Sequence, residues 1–487
     1  MGQEVVVIGA GFGGIAAALR ARSLGYEVTL VEKLTSLGGR AGSICVDNYH
    51  YDTGPTVITA PWLFDELFAL FGKNRADYIE FIALDIWYRF HFNDGDRFDY
   101  QACMSQTLAD IARIHPPDVA GYQSLLAESK RIYEVGFDKL ACEPFHRLTQ
   151  MLRTVPNMLR LRSYQSVWQR VCNHLQSDKL RQAFSIQPLL VGGNPFDTTC
   201  IYSLIHYLER LGGIHFARGG TAMLVRALER LMREEGIRIV LGQKVEEITL
   251  TRGKVSGVRC SGGYFSAQHV IANTDPAFLY SQLLNKRHVA SSAKLKNRFA
   301  RKSMALFVVF FGTTRQYPDV AHHSIVLGPR YRELLDDIFN KQVLTDDFSI
   351  YLHRPTATDP SLAPAGCDSF YALVPVANNQ SGIDWDTAAD GFSQSILKHL
   401  ERTLLPGLHQ HLAHSFYHTP NDFQSTYLSP DGAGFSIAPL FYQSAWFRYH
   451  NRGEGPKNLY LVGAGTHPGA GLPGVLCSAK VVEKLLS

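Results

Sequence analysis

The sequence predicts an α/β protein organised around a parallel strand–helix–strand unit in its first forty residues, and the order of residue types there carries the prediction. Val5-Val6-Val7-Ile8 is a continuous apolar run, as a strand buried on both faces requires. Gly9-Ala10-Gly11-Phe12-Gly13-Gly14 follows at once and opens a helical stretch, and Val28-Thr29-Leu30-Val31 forms the next strand, ending at Glu32. The glycines serve different ends. Gly9 turns the chain out of the strand, Gly11 admits backbone close to a pyrophosphate, and Gly14 lets the helix pack onto the strand. Free N–H groups at the helix start then receive the diphosphate. Glu32 stands where a carboxylate accepts from a ribose diol, with Lys33 beside it. A dinucleotide-binding, Rossmann-type βαβ unit is the reading.

The residues after the second strand choose between nucleotides. Leu37-Gly38-Gly39-Arg40-Ala41-Gly42 adds N–H donors and a fixed cation near the phosphates, and Tyr51-Asp52-Thr53-Gly54-Pro55-Thr56-Val57 follows. A long, folded-in FAD needs this second cradle, whereas NAD does not. The unit resembles the FAD-binding domain of the flavin amine oxidase type.

Composition narrows the rest. The 487 residues hold two or three domains, and 46% hydrophobic with 19% charged residues describes a folded chain. A net charge of +4 gives no reason to invoke nucleic acid. The eight cysteines form no CxxC pair, and no HExxH or GxSxG occurs, so neither a disulfide framework, a zinc protease nor a hydrolase is indicated. His322 and His323, if on a strand, point to opposite faces, and no metal site is expected. With the first strand beginning within five residues of Met1 and no apolar run of spanning length, a cytoplasmic protein is expected.

Farther along, residues 62–73 have apolar residues at helical spacing, and residues 86–99 carry alternating aromatics around Asn93-Asp94-Gly95, a hairpin signal. Residues 105–210 are mainly helical. Within them, Phe145 to Phe184 interleaves Arg147, Arg153, Arg160, Arg162, Arg170, Lys179 and Arg181 with apolar residues and Trp168, a pattern that lies in an anionic membrane surface; a solvated basic face over a core is the competing reading. Helix to about Glu235, a strand at 237–241 and strand signals over 254–259 and 264–272 return the chain to the dinucleotide domain. Residues 303–312 and 368–376 read as buried strands of a second sheet, one wall of a ligand cavity. Leu459 to Val475 is strand, glycine-rich loop and helix, a second helix N-terminus for the cofactor.

These segments, with Leu190-Val-Gly-Gly-Asn-Pro-Phe196 and Gln443-Ser-Ala-Trp-Phe-Arg448, resemble the bacterial phytoene desaturase family along essentially the whole chain. The resemblance implies noncovalent FAD, a C40 polyene drawn from a membrane surface, and a quinone or oxygen as electron acceptor. It implies desaturation of phytoene towards lycopene, with a dehydrosqualene desaturase, a carotenoid 3,4-desaturase or a soluble-substrate amine oxidase as related alternatives; a non-catalytic flavin- or lipid-binding protein is the third class. Carried over by motif, Gly9, Gly11, Phe12, Gly13, Gly14, Glu32, Lys33, Gly39, Arg40, Thr56 and Val57 contact FAD, Val245 holds the adenine, and Gly465, Thr466, Pro473, Gly474 and Val475 line the flavin end. The sequence departs from the family pattern at Gln150, Leu472 and Cys477.

Unactivated allylic C–H bonds are beyond side-chain chemistry alone, so hydride passes to flavin N5 while a base takes the neighbouring proton. His467 and Arg153 are the polar candidates; a structural hydrogen bond for the first and a solvated helix face for the second are the competing readings. The expected division is an FAD-binding domain from residues 1–60, 218–280 and 441–487, an inserted α+β substrate domain from 61–104 and 281–440, and a helical, membrane-associating region over 105–217.

Overall fold

A computed structural model describes residues 3–487. Its first sheet has five parallel strands in the order Leu459–Leu461, His269–Ala272, Glu4–Ile8, Glu27–Val31, Arg238–Val240. Val6 pairs with Val270 on one side and Thr29 on the other. The unbroken apolar run of the central strand follows from its two covered faces. Val5 and Val7 join a core with helix Phe12–Ser23, helix Thr221–Glu234 and helix Leu472–Leu486. Val6 and Ile8 meet an antiparallel three-stranded sheet, Val245–Thr251, Lys254–Cys260 and Gly263–Ser266. All five strands come from the two ends of the chain and residues 238–272, and the sequence between builds the rest of the molecule.

The inserted residues build a second, seven-stranded sheet in the order Leu412–His418, Ala305–Thr313, Asp368–Val376, Ile350–His353, His323–Val326, Ile86–His91, Arg97–Gln101. The long central pair is antiparallel with Val309 opposite Ala372, and the expected hairpin over 86–99 closes one edge. Alternation splits its residues between two cores: Ala305, Phe307, Val309 and Phe311 pack against helix Trp385–Thr403, while Leu306, Val308 and Phe310 face the helices of residues 104–212.

The stretch from Phe145 to Phe184 departs from the single basic surface expected. It folds into three helices, Leu148–Arg160, Val167–Cys172 and Asp178–Phe184, and only the first lies outward. Trp168 stacks on Phe196 and Tyr331, Arg170 is buried against Glu128, and Lys179 pairs with Asp94 and Asp96. An intact basic helix needs solvent or lipid on its charged face; here Glu128 takes Arg170 inward, Asp94 and Asp96 pair with Lys179, and the Leu175 carbonyl accepts from Arg181. Among the described residues, no helix is long and apolar enough to cross a membrane.

Candidate active site

One continuous cavity of about 610 Å³ runs from the carboxyl ends of the parallel strands into the space between the large sheet and the helical region. It begins at the switch point between strands Glu4–Ile8 and His269–Ala272, where open α/β sheets bind ligands. Gly9 takes φ +88° there, a conformation that favours glycine. A Cβ on Gly11 would stand 3.0 Å from Asn273 Nδ2, and one on Gly13 2.6 Å from Asn273 Oδ1. Helix Phe12–Ser23 has no side-chain cap, so the N–H groups of its first turn lack an intrahelical acceptor and face the cavity mouth.

Glu32 is buried and fixed: it accepts from Ala10 N–H at 2.7 Å through one oxygen and from Leu34 N–H at 2.9 Å through the other. Burial holds the Arg40 guanidinium below its usual pKa, and Arg40 donates to Ser429 Oγ. Lys33 Nζ donates to the Ser425 carbonyl at 2.8 Å. Polar groups on this wall also lack any protein partner: Asp275 Oδ2, Ser436 Oγ and His467 Nδ1 are buried and unbonded. Unfilled first-turn donors, an anchored carboxylate and orphaned acceptors at one strand switch point are the features a bound dinucleotide satisfies.

Of the residues named from sequence, Gly9, Gly11, Phe12, Gly13, Glu32, Lys33, Gly39, Arg40, Thr56, Val57, Val245, Gly465, His467, Pro473, Gly474 and Val475 line the cavity together. Three do not. Gly14 lies behind the wall, where a Cβ would collide with the Gly9 carbonyl oxygen at 1.9 Å; what it provides is helix–strand packing. Thr466 is fully buried, its hydroxyl donating to the Gly463 carbonyl at 2.9 Å, and so shapes the last loop from behind. Arg153 is exposed on helix Leu148–Arg160, because the residues of that helix facing the cavity are Thr154, Asn157 and Met158. Arg153 is therefore not a group of the reaction chamber.

Sequence reasoning passed over the polar groups of the inner chamber. Thr56 Oγ1 bonds Tyr351 OH at 2.9 Å and Tyr371 OH at 3.0 Å, and Tyr88 OH donates to Glu209 Oε1 at 3.3 Å. Burial pushes Glu209 up to about 8 and Asp52 up to about 6, although Thr221 N–H donates to Asp52 at 2.9 Å. Burial pushes His467 down to about 4; its Nε2 lies 2.9 Å from the Leu140 carbonyl, and it is neutral at pH 7. Nothing local marks Glu209, since Leu208-Glu209-Arg210 reads as an ordinary helix end. Asn273 did carry a signal, at the carboxyl end of a strand beside the first. The expectation for His322 and His323 also fails: the strand begins at His323, so alternation does not apply, and the two rings lie 4.5 Å apart.

Fold and site together define a flavoprotein: the model of the flavin containing amine oxidoreductase family matches residues 12–482. The chain is 43% identical over 99% of both chains to a lycopene-forming phytoene desaturase of Pseudescherichia vulneris, and 42% identical, with the same coverage, to one of Pantoea ananas. Among solved structures it is similar to an oxidoreductase from Methanosarcina mazei, with a TM-score of 0.68, 17% identity and 99% and 100% of the two chains covered. The chain belongs to the bacterial phytoene desaturase family.

Proposed function

We propose that this protein is an FAD-dependent phytoene desaturase that introduces double bonds on the way to lycopene, as its lycopene-forming relatives are named for doing. The observation that carries this reading is the continuity of the cavity. The glycine cradle opens without a break into a chamber walled largely by Leu140, Phe145, Leu190, Leu204, Met304 and Leu306, a surface suited to a long hydrocarbon. Bound FAD supplies the acceptor for a hydride leaving an allylic carbon. The cradle residues named above would hold it, Glu32 would accept from its ribose, and the loop from Gly463 to Val475 would border its flavin end. The apolar chamber aligns the polyene and excludes water. His467, neutral and with Nδ1 free of protein partners, is the polar group placed to receive a proton at that end.

The substrate is a hydrocarbon that resides in a bilayer, and the chain reaches it through helix Leu148–Arg160. Support comes from its two faces. Thr154, Asn157 and Met158 line the cavity, and Asn157 is also exposed, so the cavity opens beside this helix. Leu148, Leu152 and Leu159 are 53%, 61% and 63% exposed, flanked by exposed Arg153, Arg160 and Arg162, and Tyr164 and Tyr442 extend the apolar ground. An interfacial helix has this arrangement. The protein is accordingly peripheral on a membrane, with a quinone or oxygen taking the electrons. The separate parallel and seven-stranded sheets support a division into an FAD-binding domain (1–60, 218–280, 441–487), a substrate domain (61–104, 281–440) and a membrane-associating region (105–217), with docking assigned to residues 148–164.

Incubating FAD-loaded protein with phytoene-containing liposomes and identifying the products by chromatography tests the reading. Conversion of phytoene to more conjugated carotenes is expected. A chain that turns over a C30 analogue but leaves phytoene intact overturns it.

A further inference from the structure

Beside the inner chamber, outside the cofactor cradle, the two strands His323–Val326 and Ile350–His353 run antiparallel with His323 directly opposite His353. His322, one residue before its strand, turns its ring toward the same point. The imidazoles lie 4.5, 4.8 and 5.3 Å apart between centroids, and one ligating nitrogen from each falls within 4.8 Å of the others. All three are sequestered, at 5%, 0% and 1% exposure.

Their hydrogen bonds are incomplete in a particular way. His322 Nδ1 is 2.6 Å from Thr358 Oγ1, and His323 Nδ1 is 2.7 Å from Tyr351 OH. The opposite nitrogens, His322 Nε2 and His323 Nε2, have no partner, and neither nitrogen of His353 has one. Buried polar atoms are ordinarily satisfied, and these three rings bring four unpartnered nitrogens to one place. In the tautomer in which each Nδ1–H donates to its hydroxyl, Nε2 of His322 and of His323 is the nitrogen left to ligate. Metal-bound histidines are oriented in this manner by an outer partner on the other ring nitrogen. The nearest cation, Arg354, is already neutralised by Asp368 at 2.9 Å.

We propose that His322, His323 and His353 bind one divalent late transition-metal ion of the zinc class. Three neutral nitrogens and no carboxylate suit zinc rather than magnesium or calcium, which take oxygen ligands. Zinc–imidazole bonds of about 2.0–2.1 Å draw the three nitrogens closer than they stand here, which rotation of the rings accomplishes. The ion pins two strands of the large sheet at the point where Tyr351 carries the hydroxyl chain of Thr56 and Tyr371 into the cavity.

The test uses the untagged, flavin-loaded chain expressed in zinc-supplemented or cobalt-supplemented medium and dialysed against a weak chelator. Elemental analysis should find close to one metal per chain, and cobalt-loaded protein should show visible ligand-field bands. X-ray absorption of the zinc form should fit three imidazole nitrogens at about 2.0–2.1 Å. His323→Asn and His353→Asn should each lower metal affinity by about tenfold or more, with flavin content per chain unchanged. Fully flavin-loaded wild type that leaves dialysis essentially metal-free overturns the site, as does a scattering fit with fewer than three imidazoles. Unaltered metal content in both folded variants overturns it too. The absorption measurement on wild type decides the matter if the variants do not fold.

Discussion

The two ends of the cavity are built by different rules. At the cradle end the wall is mostly backbone: glycines, a helix start and a carboxylate, drawn from short segments at fixed spacing. At the chamber end it is side chains from helices, from the large sheet and from the loop before the last strand, residues that meet only after the chain has folded. A phosphate can be held by any main chain of the right shape, so the shape is written locally as glycine. A polyene is held by surface alone, and many sequences supply an apolar surface.

The largest effect expected of that contrast is at Gly11. Gly11→Val fills the space beside Asn273 that the proposed cradle offers the diphosphate, and the variant should fold but purify colourless, with FAD absent by absorbance. Gly14→Ala should do something else, since its added methyl meets the Gly9 carbonyl and breaks helix–strand packing: insoluble or unfolded protein by circular dichroism is expected. A yellow, stoichiometric Gly11→Val protein would mean that the cradle end is not where the nucleotide binds.

This division also accounts for what could be read from the sequence. The glycine cradle, the strands of the parallel sheet, the 86–99 hairpin and the long pair 303–312 and 368–376 were legible, since period-two patterning and glycine spacing are local, whereas strands His323–Val326, Ile350–His353 and Leu412–His418 went unread. The exposed basic face was legible only in outline. Arg170 has the same composition signal as Arg160, yet Glu128, forty-two residues away, draws it inside. The roles of Glu209, Tyr351 and the three histidines depend on pairings such as His323 with His353 that no local pattern states. Thr466 and Gly14 sit in the right motifs but on the far side of the wall, a distinction of one residue in register.

The second effect sharpens the chamber side. Glu209 has its folded pKa raised from 4.5 to about 8, so the folded chain holds a proton that the unfolded chain has released. Stability contributed in this way is present below the unfolded pKa and falls as pH rises through the window from about 4.5 to 8, at up to about 1.4 kcal/mol per pH unit. Glu209→Gln keeps an acceptor for Tyr88 and removes the titration. Between pH 5 and 8 the substrate-free variant should gain on wild type by on the order of 3 kcal/mol, read from denaturant midpoints. Parallel stability curves would show that the chamber is wet enough to ionise the carboxyl.

Next comes the outer face of helix Leu148–Arg160. Each arginine near an anionic leaflet contributes about 1 kcal/mol, so replacing Arg153, Arg160 and Arg162 by Gln should weaken vesicle binding by about 3 kcal/mol at low salt and less at high salt. Arg170→Gln, which removes a buried cation from Glu128, should lower thermal stability and leave flotation unchanged in the folded fraction. If the triple variant floats with anionic liposomes as the parent does at both salt levels, the chamber takes its substrate from another face.

The smallest effect returns to the cradle. Glu32 anchors two backbone N–H groups, Ala10 and Leu34, and still borders the cavity, so its carboxylate serves the loop and, on the proposed function, the ribose too. Glu32→Ala should weaken FAD binding by about 1.5–3 kcal/mol, the range for a hydrogen bond to a charged group, or roughly tenfold to a hundredfold in Kd by flavin fluorescence. Glu32→Gln separates the two roles. It retains a neutral acceptor for one N–H and should recover most of the thermal stability lost in Glu32→Ala while binding FAD more weakly than wild type. Were Kd unchanged in both variants, the ribose would be held from elsewhere, and Glu32 would belong to the loop alone.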